Sequence, residues 1–166
     1  MVIIERNNVE VGAVEIKQIK AKDTQDIRHR VLRPEQPEEN AIYPNDDMEG
    51  TFHLGAFEKD VLLGIASFYP EKSTVIMNPA QYRIRGVATE RRMRLKGLGT
   101  ALLADGEAKI WKRGADIIWC NARIVAVGFY EKHGYRKVGK SFVIPGIGEH
   151  YLMKKVNPNK KVDHDN

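Results

Sequence analysis

An alternating stretch, Gln81 to Thr89, leads into a basic turn with two glycines, Arg94-Leu-Lys-Gly97-Leu-Gly99-Thr100, and that turn leads into a stretch of helical period. From Gly97 to Arg113 the residues Gly99, Leu102, Leu103, Gly106 and Ile110 share one helix face. Strand, turn and helix in this order constrain the fold more than any other feature. Two glycines on the buried face let the helix approach a sheet closely. The turn can aim successive backbone N–H groups at one point, where the helix N-terminus adds partial positive charge. Arg94 and Lys96 add full charge and Thr100 a hydroxyl, a combination that suits a pyrophosphate. The plainer reading of the same residues is a strand-to-helix turn with a basic surface. A dinucleotide fingerprint is absent, because its third glycine would fall on Leu102.

The remaining pattern is mixed. Val14 to Ile19 alternates as a first strand, Asp23 offers an N-cap, and Ile27 and Val31 lie one turn apart in a helix that Pro34 ends near Arg33. A long acidic loop follows to Gly50, with room for one helical turn. Thr51–Phe57 and Val61–Tyr69 form a hairpin around Glu58-Lys59-Asp60. Asp116–Asn121 reads as a buried strand, Val125–His133 as a helix stopped by Gly134, and Tyr135–Ile144 with His150–Val156 as a final hairpin. The expected fold class is mixed α/β (α+β), a single central, mostly antiparallel sheet flanked by helices. One domain is expected over residues 1–156, with 157–166 a flexible tail.

No apolar run approaches the roughly 18 residues of a spanning helix, and the start of the chain has too short an apolar stretch for a signal peptide. Cys120 is the one cysteine, so no intrachain disulfide can form and a reducing, cytoplasmic setting is expected. The net charge of +5 decides little, but its placement is uneven. Arg83, Arg85, Arg91, Arg92, Arg94 and Lys96 are opposed only by Glu90, whereas Glu35 to Glu49 holds six acids and no base. Nucleic-acid binding by the basic run is disfavoured, because it lacks interleaved aromatics. Gly134 to Ser141 matches the P-loop pattern G-x-x-x-x-G-K-S, yet a helix precedes it and no long helix can follow past Pro145-Gly146. No residues have metal-ligand spacing.

At Arg94-Leu-Lys-Gly97-Leu-Gly99 the chain resembles the GNAT superfamily of acetyl-coenzyme A-dependent N-acetyltransferases, whose signature is [Q/R]-x-x-G-x-[G/A]. Arg85-Gly-Val87-Ala88-Thr89 is similar to that family's fourth strand. Asn121-Ala-Arg-Ile-Val-Ala126-Val-Gly-Phe129-Tyr130, ending at Gly134-Tyr135, is similar to its second motif, with Arg123 where that motif often has Asn. Ile147 to Met153 faintly resembles the ElaA-like branch. The resemblance implies the GNAT fold and acetyl-coenzyme A (acetyl-CoA) as cofactor. It also implies direct attack of a primary amine on the thioester. The implied cofactor residues are Val87, Ala88, Thr89, Arg94, Leu95, Lys96, Gly97, Leu98, Gly99, Thr100, Ala126, Phe129 and Tyr130. Strand-four backbone at Val87 and Thr89 would pair with the pantetheine, and Tyr130 is the candidate proton donor to the leaving thiolate; its other reading is aromatic packing.

The family's occasional strand-four glutamate base falls on Arg83, so that role is vacant. His53 and His150 are candidate bases, against the structural role common for strand histidines. Cys120 reads as a small buried residue or a catalytic thiol. Strand alternation puts Arg83, Arg85, Val87 and Thr89 on one face, with Arg83 toward the acceptor. Two arginines repel a bare amine unless the acceptor also carries an anion, so a small, anionic, amino-acid-like amine is expected. His53 and His150 join Arg83 and Arg85 as acceptor-side candidates. The alternatives are protein amines as acceptors, a non-catalytic acyl-CoA sensor on the same fold, and an Arg83 that merely pairs with an acid of the loop. No nucleic-acid or membrane partner is expected, and a homodimer is compatible with the sequence.

Overall fold

Strand side chains alternate between faces, so a strand buried on both sides needs helices on both sides. The computed structural model describes residues 2–6, 9–94 and 96–160, and only the backbone up to residue 12. Its elements are β1 (Val2–Arg6), β2 (Val9–Ile19), α1 (Ala21–Ile27), β3 (Phe52–Glu58), β4 (Val61–Tyr69), β5 (Gln81–Thr89), α2 (Leu98–Lys112), β6 (Ile117–Arg123), α3 (Val127–Lys132), β7 (Arg136–Ile144) and β8 (Gly148–Val156). The chain divides into two compact units, Met1–Tyr69 with Gly86–Ala108, and Pro70–Arg85 with Lys109–Asn166. The mixed α/β class, with a mostly antiparallel sheet and flanking helices, is as expected.

In the first unit the strands lie in the order β1-β2-β3-β4, followed by the Gly86–Thr89 end of β5. β1–β2, β2–β3 and β3–β4 are antiparallel. Lys59 and Asp60 close the β3–β4 hairpin, both with positive φ (46° and 66°), the conformation whose twist matches the strands. Gly64 and Phe68 on β4 face α2, where a Cβ on Gly64 would lie 3.3 Å from Leu102. Gly106 lies so close to Phe68 that a Cβ there would meet its ring at 2.2 Å, the close approach the helix glycines suggested. Ile65, one residue on from Gly64, points the other way and clusters with Ile27 of α1 and with Ala88. Thus α1 and α2 cover opposite faces of this unit's strands, and Phe52–Ala56 is buried on both sides.

Arg28 opens a π-type turn, Arg28–Leu32, at the end of α1, and its side chain has no exposure. Its guanidinium donates to both oxygens of Asp46 (2.7 and 3.0 Å), to the Ala41 carbonyl (2.9 Å), to Ser67 Oγ (2.8 Å) and to Tyr69 Oη (3.1 Å). The Tyr43 ring stacks on it at 3.9 Å, and the Tyr43 N–H donates to Asp46. These contacts order the long loop, which contains the expected helical turn at Glu38–Ala41. Asp46 therefore belongs to the interior, and only part of the acidic cluster is a solvated surface.

The second unit orders its strands β5-β6-β8-β7, with Gln81–Arg83 parallel to Ile117–Trp119 and the other pairs antiparallel. Ile76, Ile117, Trp119 and Leu152 form a core, flanked by Val138 and Val156. The expected stop at Gly134 is there: Gly134 N–H donates to the Glu131 carbonyl (3.1 Å) and Tyr135 N–H to that of Tyr130 (3.0 Å), a paired C-terminal cap. The P-loop match is this cap plus a strand, and β7 shifts register between Val138 and Phe142. Among the described residues no helix follows for a phosphate to face.

Several expectations change. The first strand starts at Val9 rather than Val14, because its outer end pairs with β1, a strand the alternation did not reveal. Asp23 is the third residue of α1 and not its cap; its carboxylate accepts from the Lys20 N–H (3.0 Å), which begins the helix at Ala21. The last helix runs 127–132, entered through a tight turn at Ile124–Ala126. Residues 157–160 are anchored: Asn157 donates to the carbonyls of Ala115 and Asp116 (both 2.8 Å), and Lys160 pairs with Asp116 (3.1 Å). The rest of the expected tail lies outside the described residues.

Burial works against ionisation of Asp46, but hydrogen bonds from Arg28 and Tyr69 outweigh it and hold the carboxyl below the usual carboxylate range. A depressed folded-state pKa stabilises above the unfolded value of about 3.9 and stops doing so as pH falls through the folded value. Asp46→Asn should cost about 3–5 kcal/mol at pH 7 by stranding a buried guanidinium, and should cost less below about pH 3. Urea unfolding at the two pH values checks both statements.

Candidate functional site

The turn after β5 is built as its sequence suggests. The Glu90 N–H closes the β5 end on the Leu63 carbonyl (2.8 Å), a tight turn spans Arg91–Met93, and α2 begins at Leu98. Gly97 has φ +85°, a conformation that side chains resist, so a glycine is required where the chain swings into the helix. Arg91, Arg92 and Arg94 are exposed and Lys96 half-buried, while Met93 is buried and anchors the turn. Leu95 lies outside the described residues. A helix start, a left-handed glycine and exposed cations form an arrangement that fits a pyrophosphate. The side chains of Ala88 and Leu98 point into the core, so these two residues can offer a ligand only main-chain groups. Val87 and Thr89 are half-buried.

Simple alternation along β5 does not hold. Gly86 has φ +64° and sits against Tyr43 and Arg28, where a Cβ would come within 3.2 Å of the ring. This left-handed residue breaks the two-residue period, so Arg83 and Arg85 do not continue in phase into Val87 and Thr89. Arg83 lies instead in a second-unit cluster. It donates to Glu71 (2.7 Å) and stacks over Trp119 at 4.8 Å, and Trp119 Nε1 donates to the Glu71 carbonyl (2.8 Å). The Arg83 Nε is buried with no hydrogen-bond partner. The acid that meets Arg83 is thus Glu71, outside the acidic loop. Glu71 carried no signal in the sequence, because it stands alone in a Pro- and Lys-containing turn. Arg85 is half-buried.

Tyr130 is buried on α3, with its ring edge-on to Phe129 (5.1 Å) and Tyr135 (5.4 Å). Burial, with the Cys120 thiol nearby, pushes the phenol well above its ordinary pKa, so it stays protonated at neutral pH. Cys120 is buried too, and burial holds its thiol protonated, which fits the packing reading. Ala126 and Phe129 are half-buried.

The two histidines part company. His53 Nε2 donates to the Asp46 carbonyl (2.9 Å) and Nδ1 accepts from Ser67 Oγ (2.6 Å). Both nitrogens are engaged in the Arg28 network, so His53 is structural rather than a base. It forms one wall of a cavity of about 410 Å³ with Lys20, Lys22, Asp47, Met48 and Thr51. His150 donates from Nδ1 to the Gly148 carbonyl (2.7 Å), which leaves the lone pair on Nε2. Its ring stacks with Phe142.

A family profile described as the acetyltransferase (GNAT) family matches residues 4–135, and the chain belongs to that family. It is similar to the uncharacterized N-acetyltransferase YitI of Bacillus subtilis (strain 168), 42% identical over 142 residues, 86% of this chain and 95% of that one. Its fold is that of an aminoglycoside 6′-N-acetyltransferase complexed with coenzyme A (TM-score 0.70, 16% identity, 89% of this chain and 99% of that one). It is equally the fold of Escherichia coli ElaA (TM-score 0.63, 18% identity, 86% and 99%). The protein is an N-acetyltransferase, and acetyl-CoA is the cofactor its family uses. No helix among the described residues is long and apolar enough to cross a membrane.

Gly99→Val should block the turn. Calorimetric titration with coenzyme A should show at least a tenfold weaker affinity, and an unchanged affinity would remove the cofactor from Arg94–Thr100.

Proposed function

We propose that this protein acetylates the primary amine of a small molecule that also carries a carboxylate or phosphate, with residues 1–156 acting as one domain. The observation that carries the acceptor reading is the Arg83–Glu71 pair on Trp119. An ammonium and a carboxylate on one small acceptor complement this pair: Glu71 matches the first and Arg83 the second. The planar guanidinium of Arg83 suits two-point recognition of a carboxylate. A polyamine offers nothing for Arg83.

Acetyl-CoA, when bound, supplies an acetyl group already activated as a thioester. Gly97–Thr100 and the α2 N-terminus would hold its pyrophosphate, with Arg94 and Lys96 supplying charge. Main-chain groups of Val87 and Thr89 would align the pantetheine. Tyr130 keeps a proton on its phenol oxygen, as a donor to a departing sulfur must. His150, with its lone pair on Nε2, can take the proton that the acceptor's ammonium loses to become the attacking amine.

Tyr130→Phe should lower kcat by roughly a hundredfold, the low end for general acid–base catalysis, and leave coenzyme A affinity within twofold. Equal turnover would make Tyr130 a packing residue. A screen of amines with acetyl-CoA, read as free thiol, should favour amino-acid-like acceptors over polyamines. Arg83→Ala should then raise the KM for the acceptor about tenfold, the scale of one charge-assisted contact, and spare that for acetyl-CoA. Polyamines as best substrates, or an unmoved acceptor KM, would overturn the acceptor assignment.

A further inference from the structure

Glu90 poses an electrostatic problem. It is the one acid between Arg83 and Lys96 and stands directly before the turn assigned to the pyrophosphate. Its main chain is the junction itself: the N–H closes on Leu63, and the carbonyl accepts from the Met93 N–H (2.9 Å). A bare carboxylate at that junction would oppose the field that Arg91, Arg92, Arg94 and Lys96 offer to a phosphate.

Arg30 answers it. In the π-type turn after α1, Arg30 donates from Nε and Nη2 to the two oxygens of Asp26 (both 2.8 Å). The same guanidinium reaches Glu90 through Nη2 (2.5 Å) and Nη1 (3.3 Å). Asp26 lies one helical turn before Arg30, so it fixes the plane of the guanidinium while leaving its outer edge for Glu90. An isolated surface pair is weak, but a forked geometry shared by three charges holds a defined arrangement.

We infer that Arg30 is a positioning residue for the cofactor: shared between Asp26 and Glu90, it offsets the negative charge that Glu90 brings to the phosphate turn. The inference rests on the placement of the pyrophosphate at Arg94–Thr100. It has a consequence that a simple tether would not have. If Arg30 acts by offsetting charge, its loss is repaired by removing the charge it offsets.

Calorimetric titration of the full chain with coenzyme A tests this. Arg30→Ala should weaken binding roughly three- to fivefold at low salt, the scale of one exposed charge–charge interaction, and less at 0.5 M salt. Glu90→Gln alone should bind at least as tightly as the parent. The Arg30→Ala, Glu90→Gln double variant should return to within twofold of the parent. Turnover should show the Arg30→Ala effect in the KM for acetyl-CoA and none in the acceptor KM. Unchanged affinity in Arg30→Ala, or a double variant as weak as that single one, overturns the inference. Gly99→Val separates the two levels. If it abolishes binding while Arg30→Ala does nothing, only the role of Arg30 falls; if it does nothing, the placement of the cofactor falls with it.

Discussion

A guanidinium closed off from water, Arg28, and a carboxylate eighteen residues further on, Asp46, hold the first unit's long loop in place. Neither charge can be buried alone at tolerable cost, so each requires the other and the hydrogen bonds around them. The two terminal nitrogens of Arg28 also donate to Ala41, Ser67 and Tyr69, and its face goes to Tyr43. Through these contacts one side chain ties α1 to the loop and to β4. His53 belongs to the same network, which is why this strand histidine has no lone pair to spend on catalysis.

The network also reaches β5. Arg28 and Tyr43 pack against Gly86, where the strand breaks its period. Strand alternation is a reliable guide only while every residue is extended. One left-handed glycine separates two arginines on one side of it from two candidate pantetheine partners on the other. What reads as one four-residue face is two pairs with different surroundings: Val87 and Thr89 lie beyond the break, half-buried, and Arg83 joins Glu71 and Trp119 before it.

Charge follows the same logic of local pairing. The basic run and the acidic loop look like two opposed surfaces when counted along the chain. In three dimensions their outliers are paired elsewhere: Asp46 with Arg28, Glu90 with Arg30, Arg83 with Glu71. The charge left at the basic turn before α2 is what remains after those pairings.

The family, the strand–turn–helix and the elements from β3 to β8 were legible in the sequence, because each rests on local rules. Glycine spacing, the two strand periods and the helix face of Leu102, Leu103 and Ile110 need no partner to be recognised. Gly134 as a helix stop and the dismissal of the P-loop match rest on neighbours in the chain. β1 was not legible, since its ladder to β2 is a backbone pairing that leaves no pattern of its own. Neither were Arg28 and Glu71: a lone arginine in a helix and a lone glutamate in a turn acquire meaning only from the residues opposite. Which charges are cancelled, which histidine keeps a lone pair and which arginine is met by an acid depend on contacts across long sequence separations. Only tertiary structure decides them, because electrostatic pairing is set by distance and burial, and neither is encoded in local sequence spacing.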